Sequence, residues 1–240
     1  MTSRQAIAHI ERHGALLVFP IKNRKEPLSL WSAFFPRSEM RWEWDETGDN
    51  RVAEMWHLRE ELSRSGKVVY AKWYQGRATF FSRALFPSLL SILNPELSRD
   101  RLPELSEQAT ALLKPLGDSS PLSTKELKRA CGLEGRIHEP QYQRGLKELW
   151  SRLLVVGYGE VDDGAFPSLA VGATELMFED LWRRAKAPKL DSAEKEIEEA
   201  LQRDSVFYKY LAKLMRGRPD TATKTTTTAP KKFYYWNPRD

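Results

Sequence analysis

The segment Ser123-Thr-Lys-Glu-Leu-Lys-Arg-Ala-Cys-Gly132 contains the clearest helix-start and helix-stop signals in the sequence. A serine followed three residues later by a glutamate, here Ser123 and Glu126, is a capping-box pattern that satisfies two backbone N–H groups at the start of a helix. The pattern predicts a short helix over 124–131, and the glycine that follows supplies its C-terminal stop.

A second helix is predicted immediately downstream, over 141–152. Its apolar residues recur at helical spacing and share one face with the leucine that follows it; they are Leu146, Leu149, Trp150 and Leu153. Two apolar strand patterns, 154–158 and 166–171, then enclose a polar turn at 162–164. With a preceding helix over 103–116, this order is that of a winged helix-turn-helix module covering about residues 102–171.

The sequence upstream predicts a first α+β module. Helical spacing is found at 3–12, where Ser3 is the expected cap, and at 28–35, 52–65 and 84–93. A buried strand is predicted at 15–19, and a β-hairpin at 67–81 with a tight turn at Gln75-Gly76.

The predicted fold class is therefore α+β, with tandem winged-helix-like modules, small antiparallel hairpins, a C-terminal helix and a disordered basic tail. The expected division is 1–98 for the first module, 99–172 for the winged helix, 173–215 for C-terminal helices and 216–240 for a threonine-rich linker with a basic aromatic tail. Within 173–215, one helix is expected over 174–184 and one long helix over 192–215.

Charge and composition point weakly toward nucleic acid. The formal net charge is +5, but residues from Arg216 onward contribute +4 of it, so the folded part is nearly neutral. A modest basic excess of three charges lies within 123–152.

The single cysteine excludes an internal disulfide and a metal site with two thiolates, which favours a reducing, cytoplasmic location. The sequence contains no stretch long and apolar enough to predict a membrane span, and no secretory leader pattern is expected.

Candidate DNA contacts lie on the outward side of the second helix of the turn motif, which in such modules enters the major groove. These residues, with the lysines of the preceding helix expected near the DNA backbone, are Lys125, Lys128, Gln141, Gln143, Arg144 and Lys147. Double-stranded DNA is the partner they predict; the alternative is a solvated or protein-binding helix face. In the tail, Lys231 and Lys232 precede Phe, Tyr and Trp, a combination suited to phosphates and exposed bases.

No catalytic residue, cofactor or metal site is identified from motifs. The sequence contains no evident phosphate-binding glycine loop, zinc spacing, nucleophile elbow or catalytic carboxylate pair. His9 and His13, at i and i+4, have a spacing compatible with metal binding, but no third ligand is evident nearby.

Several segments resemble the AlkZ-related proteins, diverged relatives of the AlkZ (YcaQ) DNA glycosylases. They are Trp56-His-Leu-Arg-Glu-Glu-Leu-Ser-Arg-Ser-Gly-Lys-Val-Val-Tyr-Ala-Lys72, Phe80-Phe81, Leu85-Phe86-Pro87, Pro121-Leu-Ser-Thr-Lys-Glu-Leu127 and Leu149-Trp-Ser-Arg-Leu-Leu-Val-Val156. The resemblance covers about residues 5–185. It implies tandem winged-helix-like modules, a DNA-repair context and, as the family reaction, excision of bulky or crosslinked alkylated bases.

The resemblance also implies where a catalytic pair would lie. The glycosylases have Gln-x-Gln or Gln-x-Asp near the end of an early strand, and the matching place here is about Val18-Phe-Pro-Ile21, which contains neither carboxamide nor carboxylate. Gln141-Tyr-Gln143 matches the Gln-x-Gln pattern, but it lies in the second module and is not assigned the catalytic role. Three functions stay open: a DNA-binding, damage-associated protein; a glycosylase with non-standard catalytic residues; and a non-enzymatic protein-interaction scaffold.

Overall fold

The computed structural model describes residues 1–41, 50–162, 167–187 and 190–216, with only the backbone of Leu190. It contains two three-stranded antiparallel sheets surrounded by helices, which confirms the α+β fold class. The two sheets lie in consecutive halves of the chain.

The first half builds its sheet from strands that are distant in sequence. Its elements are α1 (Ser3–His13), β1 (Ala15–Leu17), α2 (Leu30–Phe34), α3 (Arg51–Arg64), β2 (Val68–Ala71), β3 (Thr79–Ser82) and α4 (Phe86–Leu93). The strand order is β1-β3-β2, so β1 extends the predicted hairpin into a sheet.

The second half repeats the same plan. Its elements are α5 (Glu107–Asp118), β4 (Leu122–Ser123), α6 (Thr124–Ala130), α7 (Glu139–Ser151), β5 (Val155–Val161) and β6 (Ser168–Ala173). The strand order is β4-β6-β5. In both halves the order is helix, strand, helix, helix, strand, strand, and the last strand is central in its sheet.

The capping residues explain where the helices begin. Both hydrogen bonds of the predicted capping box are present: the Glu126 N–H donates to the Ser123 hydroxyl, and the Ser123 N–H donates to the Glu126 carboxylate. At α1, however, the cap is Thr2 and Ser3 is already helical, which corrects the predicted cap. The helix predicted from 103 begins only at Glu107, because the Ser106 hydroxyl accepts from the backbone N–H of Ala109 and caps it there.

The C-terminal segment has more breaks than predicted. Four helices, α8 (Thr174–Met177), α9 (Glu179–Lys186), α10 (Leu190–Leu201) and α11 (Val206–Arg216), replace the two predicted. Phe178 separates α8 from α9, and Gln202, with a left-handed φ of 59°, lies in the turn between α10 and α11. The turn at Gln202 allows both Ile197 and Phe207 to reach the core.

The hairpin connection is longer than the predicted two-residue turn. Seven residues, 72–78, join β2 to β3 and include a 3-10 turn at Tyr74–Gly76 in which Gln75 has a left-handed φ of 53°. Helix α11 supports this connection: the Tyr210 hydroxyl donates to the Trp73 carbonyl over 3.1 Å. Tyr74 also packs edge-on against Phe207. The connection is therefore buttressed by an aromatic cluster.

The two halves meet where β5 crosses α3 and β2. Arg59 of α3 pairs with Glu160 of β5, and their side chains are only 8% and 11% exposed. Arg64 donates to the Glu160 carbonyl, and the Gly159 N–H donates to the Ser63 hydroxyl over 2.8 Å.

The hydrophobic core also crosses this junction. One cluster of buried residues runs from Ala15 in the first half through Leu149 and Val156 to Leu211 in α11. The division at residues 98 and 99 stays a prediction, because the halves share this core. Within the described ranges, no helix has the length and apolar character needed to cross a membrane.

Candidate nucleic-acid interface

Helix α7 presents a polar face to solvent, as its spacing predicts. Tyr142 and Leu149 are fully buried, whereas Gln143, Arg144 and Lys147 are exposed. The helix lies close to α5 because residue 145 is glycine: a Cβ there would come within 2.8 Å of the backbone carbonyl group of Gln108. This close packing fixes which side of α7 stays free.

Glu139, at the first turn of α7, holds two of the predicted DNA contacts. Its carboxylate accepts from the Lys128 ammonium over 2.6 Å and from the Gln143 carboxamide over 2.7 Å. The hydrogen bonds from Lys128 and Gln143 hold the pKa of Glu139 below its usual value, so the carboxylate is charged at neutral pH. The positive charge of Lys128 is therefore largely cancelled in the free protein.

The other predicted contacts are dispersed. Lys125 is exposed on α6, and Gln141 is half-buried. Within the part of the chain that the structure describes, Arg144 and Lys147 make no ion pair. Lys231 and Lys232 lie outside the described residues.

A cleft of about 560 Å³ separates α7 from the 72–78 connection, and we call it the lysine cleft. Its inner wall includes Tyr142, Leu146 and Trp150, while Lys72 and Lys147 stand on opposite sides of it. Burial raises the pKa of Tyr142 to about 12, so this phenol keeps its proton at neutral pH. The cleft joins apolar surface to two cationic side chains.

Lys72 is the residue of this site that sequence reasoning did not single out. It directly follows β2 and reaches the cleft formed with α7, about 70 residues further along the chain. Although the residue remains accessible to solvent, partial burial of its amine lowers the pKa of Lys72; the Arg59 guanidinium lowers it further, and the Glu160 carboxylate opposes this with a smaller effect. No local pattern signals this position.

A second cleft, of about 530 Å³, lies on the other side of the same connection and shares Gly76 with the lysine cleft. Lys22 and Arg77 line it beside Asn23. It adjoins the place where the glycosylase resemblance implied a catalytic carboxamide. Asn23, two residues after this place, has a carboxamide. Its Oδ1 accepts from the Met40 N–H over 2.9 Å, and its Nδ2 donates to the Met40 carbonyl over 3.0 Å.

The described residues offer no metal centre. No group of three or more His, Cys, Asp or Glu side chains converges within the described ranges. His9 packs edge-on against Phe34, with ring centroids 5.4 Å apart. The i, i+4 histidine pair of α1 therefore has one member in an aromatic contact.

A comparison with known protein families gives one match. A family model described as "AlkZ related" matches residues 1–216, which is most of the chain. No curated protein and no solved structure matches.

Proposed function

This chain belongs to the AlkZ-related family, and from that premise we propose that it binds duplex DNA in a DNA-repair context. In this proposal the two halves are winged-helix modules, and α7 enters the major groove. The proposal depends on the exposed face of α7, where Arg144 and Lys147 have no ion-pair partner among the described residues and Lys147 borders the lysine cleft.

The repeated topology supports the same assignment of elements. In the second half, α7 is the third helix and its outer face is exposed; in the first half, the third helix is α3, against which β5 packs through Arg59, Ser63 and Arg64. Of these two equivalent helices, α7 is the one whose outward cations make no ion pair with a described residue of the other half, and it is therefore the one that we assign to a groove. Arg144 is suited to guanine edges or phosphate, and Gln143 to adenine edges.

Removing both free cations of α7 is expected to weaken DNA binding. For Arg144→Ala/Lys147→Ala we expect a loss of affinity of roughly tenfold or more at low salt, and a salt-dependence slope smaller by about 2, since each lost phosphate contact removes about 0.9 from it. Fluorescence anisotropy of a labelled duplex across a salt series measures both quantities.

Lys195→Ala on α10 is the control, because this exposed lysine lies on a helix away from α7 and pairs with Glu199 over 3.9 Å. It should leave affinity within about twofold of the parent. Equal losses in the control and the double variant would contradict the placement of DNA on α7, and no binding at low salt by the parent chain would contradict the function itself.

Neutralising Glu139 is expected to strengthen binding. Glu139→Gln keeps nearly the same side-chain shape but replaces one accepting oxygen with an amide nitrogen and removes the charge that cancels Lys128, so affinity at low salt should rise by about threefold. The change also removes an acidic group from the first turn of α7, which costs about 0.3–1 kcal/mol of helix stability. Thermal unfolding by circular dichroism confirms that the variant is folded, and unchanged or weaker binding by a folded variant would contradict the prediction.

The two other functions have less support. Base excision at the end of β1 would need a free carboxamide, and both polar atoms of Asn23 are hydrogen-bonded to Met40. A protein-interaction role would leave the two unpaired cations of α7 unexplained. Incubation with an alkylated duplex, followed by assay for abasic sites, tests the glycosylase alternative directly.

A further inference from the structure

The lysine cleft contains an amine in an environment suited to nucleophilic chemistry. Lys72 lies where β2 meets β5, beside the ion pair of Arg59 and Glu160. Because Glu160 is already paired with Arg59, Lys72 has no carboxylate of its own, and it makes no ion pair with any described residue. A lysine with a lowered pKa at the wall of a cleft is the kind that enzymes use to form imines with carbonyl compounds.

The position of the cleft determines which carbonyl compound could reach this amine. Gln143 and Lys147 belong both to the exposed face of α7 and to the wall of the cleft. DNA held on α7 would therefore pass over the mouth of the cleft opposite Lys72. Intact DNA carries no aldehyde, but a deoxyribose that has lost its base opens to one at C1′.

We propose that Lys72 forms an imine with the C1′ aldehyde of an abasic site in DNA bound across the lysine cleft. This inference rests on the proposed DNA binding. The amine nitrogen attacks C1′, the C–N bond forms, and the carbonyl oxygen leaves as water with the two amine protons. No oxidant, reductant or metal is required for this step.

The surroundings of Lys72 fit this step. Lowering the pKa of Lys72 increases the fraction of neutral amine, and only the neutral amine attacks a carbonyl. On the other wall, Lys147 is placed to attract the phosphates that flank the abasic sugar. Tyr142 keeps its proton and is a neutral part of the inner wall.

The test is borohydride trapping with the full chain and a duplex that contains one abasic site. Hydride reduces the imine to a stable secondary amine, so a covalent complex appears on a denaturing gel, and peptide mass mapping identifies the lysine. Lys72→Arg retains the charge but cannot form the imine. Lys67→Arg is the matched control, because Lys67 is exposed just before β2 and outside the cleft.

We expect the parent and Lys67→Arg to be trapped at similar rates, with the adduct on Lys72, and Lys72→Arg to be trapped about tenfold or more slowly. Anisotropy on the same duplex should give dissociation constants within about twofold for the parent and Lys67→Arg, and it sets for each variant the protein concentration that saturates the duplex, at which trapping is compared. The inference is overturned if DNA binds but no complex is trapped, if the adduct lies on Lys147 or is spread over many lysines, or if Lys72→Arg is trapped at the parent rate. If DNA does not bind, the proposed function fails with it.

Discussion

Replacing Glu160 with alanine is expected to lower the free energy of unfolding by about 3–5 kcal/mol, because it leaves the Arg59 guanidinium buried without its counter-charge. Both side chains are about nine-tenths buried, so water cannot take the place of the lost carboxylate. Arg59 would keep its contacts with the rings of Trp56 and Tyr70, whose centroids lie 4.0 Å and 5.9 Å from the guanidinium carbon, and Trp56 would lose a hydrogen bond to Glu160. Urea denaturation measures the change.

Two further variants distinguish the effect of an unpaired buried charge from the effect of losing any ion pair or side chain. Glu179→Ala removes the partner of Arg183 in an ion pair whose side chains are 69% and 70% exposed, and it should cost less than about 1 kcal/mol. Arg59→Met/Glu160→Met removes both charges and should recover most of the loss. If Glu160→Ala cost no more than Glu179→Ala, the ion pair would not be what joins the halves.

Helices α6 and α7 were predictable because their signals are local. The capping box at Ser123 and the apolar spacing around Leu149 each occupy a single turn or helix, so local patterns alone predict α6 and α7 to within two residues. The free cations of the site, Arg144 and Lys147, follow from the same spacing. The role of Glu139 was not predicted because the helix was expected to begin at 141, whereas it begins two residues earlier.

The remaining features depend on contacts between distant segments. The apolar run at 15–19 predicted β1, whereas β4 has two residues, too few to show alternation, and was not predicted; the pairing of both strands is set by the partner strand. The break at Gln202 lies within a continuous amphipathic pattern, so spacing predicted one helix there. Lys72 enters the site only because β2 packs on β5, a contact that no window of sequence contains.

Gly157 lies at this contact between β2 and β5. It lies in β5 facing the first half, and a Cβ there would overlap ring atoms of Tyr70. Tyr70 is 1% exposed and is held by Phe80, whose ring centroid lies 5.3 Å away, so it cannot move aside. An alanine in a strand would ordinarily be more stable than glycine by about 0.5–1 kcal/mol.

Gly157→Ala is therefore expected to lower the free energy of unfolding by about 3 kcal/mol instead of raising it. The added methyl group overpacks a filled interior and forces the backbone and side chains out of their low-energy conformations. Gly117→Ala is the matched control: residue 117 is within α5, no described atom lies within 4 Å of the position that its Cβ would take, and the change should stabilise by up to about 1 kcal/mol.

Urea denaturation of the two variants distinguishes these outcomes, because the same added methyl group should move the midpoint in opposite directions. A neutral or stabilising Gly157→Ala would mean that the halves separate easily at β5. The distance between Lys72 and α7 would then no longer be fixed by the fold. A rigid junction, in contrast, keeps the two walls of the lysine cleft at a constant separation, which is what a site that positions a DNA backbone against one amine requires.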